Sequence, residues 1–271
     1  MRLAVTHRTV YRYTEPIRYA IQTLRLEPRP YEGLTVLNWR VAGDGVRPLP
    51  RFIDGLGNVV HCQTIDRLHR EAAISVTGEV ETRRGDGIVL GTVEPLPPVF
   101  FLRATPLTAP DATLAALARD GGDGGDRIAR LHALMHRVRD RLDYRPGATD
   151  STTTAAAALA QGFGVCQDHA HIFCAAARLL GIPARYVSGY LWTGADDQPY
   201  DASHAWAEAF VPDLGWVGFD AANRLCPTEN YIRVAVGLDY SAAAPVRGLR
   251  RGPAEESLSV EVQVRRQGDD Q

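Results

Sequence analysis

Gly164-Val165-Cys166-Gln167-Asp168-His169-Ala170-His171 is the stretch on which both fold and chemistry turn. Gly162 just before it and Gly164 at its start break the preceding pattern. After it, Ala170, Phe173, Cys174, Ala177 and Leu180 recur at helical spacing until Gly181 and Pro183. The pattern predicts a helix over 166–180 with an apolar stripe and with Cys166 in its first turn. Unpaired backbone N–H groups and the positive end of the helix dipole meet at such a position and favour a thiolate, the nucleophilic form of cysteine. Cys174, within the stripe, reads as packing. Asp168 suits the first turn whatever its role, because a carboxylate there opposes the dipole.

A thiol nucleophile needs a base, and the base needs an orienting group. Downstream, strands are expected over Ala184–Trp192, His204–Val211 and Trp216–Asp220. Along the second, Ala205, Ala207, Ala209 and Val211 share one small aliphatic face that suits packing on a helix. His204, Trp206, Glu208 and Phe210 share the other, which suits a cleft wall. Strand register makes the grouping testable. If Val211 pairs with Trp216, His204 and Asp220 face opposite sides of the sheet. If Phe210 pairs with Trp216, Asp220 falls opposite Trp206, a diagonal neighbour of His204 on the same face. A Cys166, His204, Asp220 triad therefore requires an odd-length loop or a bulge in this hairpin.

Metal readings are weaker. Cys166, His169 and Cys174 lie near one helix face, but His171 points elsewhere and no second Cys/His cluster is near in sequence to complete a tetrahedral site. His132 and His136 stand one helical turn apart without the intervening Glu of a metalloprotease motif. Asp120-Gly121-Gly122-Asp123-Gly124-Gly125-Asp126 resembles one copy of a glycine-aspartate calcium repeat. One copy cannot fill a shell of about six to eight oxygens, so a solvated loop is expected. No metal and no cofactor is assigned.

Upstream, Leu3–Tyr13, Ile17–Leu26, Leu34–Val41, Asn58–Ile65 and Ala73–Thr82 read as antiparallel strands, and prolines at 95, 97, 98, 106 and 110 mark a boundary near residue 105. Helices are expected over 112–119 capped by Asp111, over 127–142 capped by Asp126, and over 152–159. Leu258 to Val264 alternates as a half-buried strand. The division is a β-rich N-terminal domain over 1–105 and an α+β core over 106–271, with a C-terminal strand (257–266) available to return to the N-terminal domain.

The chain has 271 residues and a net charge of −2, so it lacks the basic excess that drives nucleic-acid binding. No run is long and apolar enough for a membrane span, and the first residues hold no secretory apolar segment, so a cytoplasmic protein is expected. Every basic residue is Arg. With no Lys, the chain has no side-chain amine with which to crosslink itself. Four cysteines are too few for a disulfide scaffold in a chain of this length. Oligomeric state is not encoded in any visible pattern.

The helix-start stretch, together with Leu180-Gly181-Ile182-Pro183-Ala184-Arg185-Tyr186-Val187-Ser188-Gly189-Tyr190, Ser203-His204-Ala205-Trp206-Ala207-Glu208 and Gly215-Trp216-Val217-Gly218-Phe219-Asp220, resembles the bacterial transglutaminase-like proteins. Thr6-His7-Arg8-Thr9-Val10-Tyr11-Arg12-Tyr13, Leu24-Arg25-Leu26 and Asp54-Gly55-Leu56-Gly57-Asn58 resemble the β-rich N-terminal region that accompanies that core. The resemblance implies an α+β fold with a papain-like transglutaminase core: Cys166 as nucleophile, His204 as base and then acid, Asp220 as orienting carboxylate. Two departures stand out. Ala221-Ala222-Asn223 replaces the family's Pro-Thr-Asn and is expected to loosen the loop after Asp220. Gly237-Leu238-Asp239-Tyr240 replaces Gly-Arg-Asp-Tyr and removes a substrate contact from that Arg. The expected activity is acyl transfer on a peptide or protein amide through a thioester. Hydrolysis is favoured, because nothing marks a dedicated amine site or a calcium switch. Protein-glutamine transglutaminase and a non-catalytic binding module of the same fold are the alternatives. The Cys166 N–H and Gln161 are the candidate oxyanion donors, and Trp206 a candidate substrate contact.

Overall fold

The structure is a computed structural model that describes residues 1–45, 48–120, 125–194 and 202–268. The glycine-aspartate reading falls largely on 121–124, outside the described residues.

The five expected N-terminal strands form three, and a short edge strand with no expectation in the sequence reading joins them. β1 (Arg2–Glu27) and β4 (Val59–Thr82) each run through a segment where the sequence shows a break, and pair antiparallel along their lengths. The break is real but local. Register shifts lie between Arg12 and Ile17 and between Ile17 and Tyr19, where Pro16 has no N–H to give the ladder. The shift flips the side-chain phase. Leu3, Val5, His7 and Thr9 are buried before it; Ala20, Gln22, Leu24 and Leu26 after it. A strict alternation rule reads such a phase change as two strands. The bend brings Leu24 and Leu26 against Ile74 and Val76 in one cluster, so the sheet curls over itself. β2 (Leu34–Ala42) and β3 (Arg51–Ile53) also pair with β4.

Between the sheets, β5 (Ile88–Val89) and two 3₁₀ turns (Pro98–Leu102, Pro106–Thr108) lead to α1 (Ala112–Arg119), capped by Asp111, and α2 (Arg127–Arg141), capped by Asp126. A two-residue β6 (Asp143–Tyr144) pairs with β7 (Phe163–Gly164), and α3 (Ala155–Gln161) lies between them. α3 starts at Thr154, later than the sequence indicates, because Thr154 and not Thr152 accepts the capping N–H. α4 (Cys166–Leu179) is buried at every position from Asp168 to Arg178. It is a central helix wrapped by α1, α2, α3 and a sheet, not a surface helix with one apolar stripe.

That second sheet has the order β11-β8-β9-β10-β5, from β8 (Ala184–Leu191), β9 (Ser203–Val211), β10 (Gly215–Phe219) and β11 (Tyr231–Gly237). β11 and the short α5 (Tyr240–Ala243) have no expectation in the sequence reading. Ala205, Ala207, Ala209 and Val211 join α4 in the principal core, on the expected face.

The C-terminal segment crosses to the N-terminal sheet. β12 (Val246–Arg251) pairs with the second half of β1, and β13 (Glu256–Arg266) pairs with its first half, from Leu3 opposite Arg266 to Tyr13 opposite Glu256. Buried polar contacts join the sheets. His7 Nδ1 and Tyr190 Oη lie 2.9 Å apart, and Thr82 donates to the Glu229 carbonyl at 2.6 Å. Asn58, 3% exposed, donates to the Val236 carbonyl at 2.9 Å and accepts from the Val236 N–H at 2.8 Å.

Asn58→Ala leaves a buried N–H and a buried carbonyl of β11 without partners, which costs about 1–3 kcal/mol. A lowered midpoint in urea unfolding is the expected result, and an unchanged midpoint contradicts the clamp.

Candidate active site

The β9–β10 hairpin decides whether the site exists. Val211 pairs with Gly215 and Phe210 with Trp216, around a three-residue loop in which Asp213 adopts a left-handed φ of 69°. This is the odd-length register that sends His204 and Asp220 to one side. Asp220 follows β10, and its backbone forms an isolated bridge with Leu225.

His204 Nε2 lies 2.6 Å from Asp220 Oδ2. The same oxygen accepts from Tyr231 Oη at 2.7 Å and from Asn223 Nδ2 at 2.8 Å, while Oδ1 accepts from the Asn223 N–H at 3.2 Å. Although burial favours the neutral acid, these donors, led by His204, hold Asp220 below the usual carboxylate range. Contrary to the expectation from Ala221-Ala222, the following loop is tied: Ala221 is buried and Asn223 folds back onto the carboxylate. Tyr231 belongs to the unforeseen β11, and no spacing signal connects it to Asp220.

Burial penalises a charged ring at His204, but the hydrogen bonds to Asp220 and to the Cys166 side chain override it and raise its pKa to about 10. Because this exceeds the ~6.5 of a free imidazole, the charged ring favours the folded chain fully below that pH. That contribution is lost as pH climbs towards about 10.

Trp206, the candidate substrate contact, does not line the cavity at Cys166. It is 2% exposed and packs behind His204, its ring 6.3 Å from His204 at 26° and 5.3 Å from Tyr231 at 85°. Gly189 on the neighbouring strand makes room for it: a Cβ there would lie 2.7 Å from the indole. Nor is the remainder of that β9 face a cleft wall. Glu208 is fully buried, taking Arg185 Nε at 2.6 Å and Arg233 Nε at 2.7 Å, and Arg185 also reaches Glu94 at 2.6 Å. The guanidinium groups hold Glu208 at about 2 against the opposing effect of burial. Period-two patterning assigns a polar face to solvent and cannot see cations arriving from two other strands.

Cys166 is the first residue of α4 and partly exposed. Asp168, fully buried, fixes the turn beneath it: Oδ2 accepts from the Val165 N–H at 2.8 Å and from Thr149 Oγ1 at 2.6 Å. Gly164 permits this, because a Cβ would come within 2.6 Å of that oxygen. His169 donates from Nδ1 to the Val165 carbonyl at 2.8 Å. His171 accepts the Tyr240 N–H at Nε2, 3.0 Å away, and burial lowers it to about 4. Burial pushes the Cys174 thiol up to about 12. Among the described residues no three His, Cys, Asp or Glu side chains converge on a point that would hold a metal. Gln161 is exposed, and its amide reaches the Phe163 carbonyl at 3.4 Å. It is not among the described residues that line the cavity at Cys166.

Asp220→Asn removes the charge that offsets burial of the imidazole. In an NMR titration the His204 ring is expected to lose its proton far below the native value of about 10. A midpoint that stays near 10 would mean that Asp220 does not hold the charge.

The chain matches the transglutaminase-like superfamily over residues 115–221 and the bacterial transglutaminase-like N-terminal region over residues 3–81. An uncharacterized protein of Mycobacterium leprae is 33% identical over 98% of this chain and 99% of its own length. A protein-glutamine gamma-glutamyltransferase of Pseudomonas aeruginosa is 34% identical over 32% of this chain and 14% of its own length. Among solved structures, a candidate cysteine protease from Cytophaga hutchinsonii superposes with a TM-score of 0.77 at 23% identity, covering 99% of this chain and 92% of that one, a likeness that establishes the fold. The protein belongs to the transglutaminase-like superfamily and carries, ahead of the superfamily core, the bacterial transglutaminase-like N-terminal region.

Proposed function

We propose that the protein is a cysteine peptidase or amidase that transfers the acyl group of a peptide or protein amide to water through a Cys166 thioester. The observation that carries this reading is His204, bound on one side to Asp220 at 2.6 Å and on the other to Cys166, with its proton held up to about 10. Nε2 faces the carboxylate, which leaves Nδ1 for the sulfur. An imidazole held by Asp220 beside the Cys166 sulfur can take up the thiol proton and return it to the leaving nitrogen, so the pair supplies both nucleophile and acid.

The thiolate attacks the carbonyl carbon, forming the C–S bond. The Cys166 N–H, at the start of α4, points its dipole at the developing oxyanion. His204 gives its proton to the departing nitrogen as the C–N bond breaks. Water then attacks the thioester, His204 takes a proton from it, the C–S bond breaks and the carboxylic acid product leaves. Asp220 stays ionised throughout and keeps the ring oriented. Transfer to an amine uses the same first half-reaction. The P. aeruginosa glutamyltransferase, similar over part of the core, keeps that alternative as an arm of the test.

Iodoacetamide near pH 6 is expected to label Cys166 well ahead of Cys62, Cys174 and Cys226, read by mass spectrometry. His204→Ala is expected to abolish that preference. With casein as substrate, Cys166→Ala is expected to lose release of new α-amino groups by at least about 10³-fold. Incorporation of a fluorescent primary amine into casein in place of hydrolysis identifies a transglutaminase, and an unreactive Cys166 identifies a binding module.

A further inference from the structure

The cavity that opens at Cys166 is not walled by the superfamily core alone. Its volume is about 290 Å³, and its lining includes Thr9, Tyr11, Val246, Leu258 and Val260 from the N-terminal sheet. Strand register explains their presence. On β1 and β13, Val5 pairs with Val264, His7 with Val262, Thr9 with Val260 and Tyr11 with Leu258. Paired residues share a face. The first two rows are buried under the principal core, with His7 against Tyr190. The next two run out from beneath it into the cavity. There the apolar face continues but is uncovered: Leu258 is 56% exposed and Val260 44% exposed. An apolar strip of strand that leaves a core and ends beside a nucleophile is exposed at a cost unless a ligand covers it. The cavity is far roomier than the roughly 10–15 Å³ that one water needs by the same measure, and admits a large side chain.

The chemistry of the lining selects among side chains. No carboxylate or guanidinium is among the described lining residues; besides the Cys166–His204 pair, the polar groups there are hydroxyls, the Gln167 amide and the His7 imidazole, which is itself tied to Tyr190. A charged substrate side chain would enter without a counter-ion and lose its hydration, whereas an aliphatic or aromatic one would cover Leu258 and Val260. The acyl half of an amide substrate stays bonded to sulfur after the amine has left, so its side chain is the one that would occupy a cavity beside Cys166 through both half-reactions. We infer that the N-terminal sheet, through Tyr11, Leu258 and Val260, forms a specificity pocket for a large apolar side chain on the acyl side of the amide attacked by Cys166. This rests on the acyl-transfer reading above and adds a substrate class to it. The two-strand floor also gives the N-terminal region a role in the reaction: the site is incomplete without it.

The test uses three acetyl-Ala-Xaa acyloxymethyl ketones, with Leu, Glu or Arg as Xaa, on the full-length protein. Alkylation of Cys166 is followed by mass spectrometry, and each rate is divided by the iodoacetamide rate on the same protein. The Leu reagent is expected to exceed the Glu and Arg reagents by about tenfold or more. Val260→Asp, at a half-exposed position, is expected to slow the Leu reagent and speed the Arg reagent. Glu261→Ala, on the opposite face of β13, is expected to keep the wild-type ratio. Equal normalised rates for the three reagents in the wild type overturn the inference. Failure of the acyl-transfer reading has a separate signature: iodoacetamide itself then labels Cys166 no faster than Cys62, and the inference falls with it.

Discussion

A single buried carboxylate oxygen organises the site. Asp220 Oδ2 receives the His204 ring, the Tyr231 hydroxyl and the Asn223 amide, three donors from three parts of the chain. A carboxylate out of water is costly unless its lone pairs are occupied, and here they are. Its negative charge then does what solvent would not: it keeps an almost fully buried imidazole protonated. Each donor constrains a different element. His204 fixes the start of β9, Tyr231 the start of β11, and Asn223 the loop that departs from the family pattern. Alanine at 221 and 222 is compatible with an ordered site because the ordering comes from Asn223 and from packing, not from a stiff proline.

Cys166 is held by a similar device. The Asp168 carboxylate, inside the first turn of α4, ties Val165 and Thr149 together directly beneath Cys166. The helix that follows is buried along nearly its whole length, so it has no freedom to reorient. Cys166 and His204 are thereby carried by two rigid supports, a central helix and a packed sheet. The buried Glu208 with Arg185 and Arg233 locks three strands of that sheet, and Arg185 also lies 3.9 Å over the Trp216 ring. Such a pair adds little net stability after desolvation, but removal of one partner strands the others.

The N-terminal sheet is part of the same body. Leu3, Val5, Leu34 and Val80 pack in the principal core with the helices, and the chain's last strand closes against its first. The superfamily core is thus bracketed at both ends of the sequence by strands of one sheet, which meet at the cavity beside Cys166.

Local rules made several features legible in the sequence. Asp111 and Asp126 announced their helices through capping chemistry, the glycines before Cys166 marked the start of α4, and the alanine face of β9 declared the helix it packs on. The hairpin parity argument narrowed the registers of Phe210 and Trp216 to those that make His204 and Asp220 neighbours. These succeeded because they depend on one strand, one helix turn or one hairpin. The failures share the opposite property. Trp206 and Glu208 looked like cleft residues because alternation gives a face but not what covers it; only the folded chain brings Tyr231, Arg185 and Arg233 there. The bends in β1 and β4 read as strand ends, since a bulge inverts the very phase by which strands are recognised. Tyr231 and Asn223 gave no signal, because a hydrogen bond to a distant carboxylate leaves no periodicity. Sequence alone therefore determined most of the helices and strands of the core and singled out Cys166, His204 and Asp220 as candidates. Tertiary structure decided which surfaces are buried and what forms the wall of the cavity, because both depend on contacts between residues far apart along the chain.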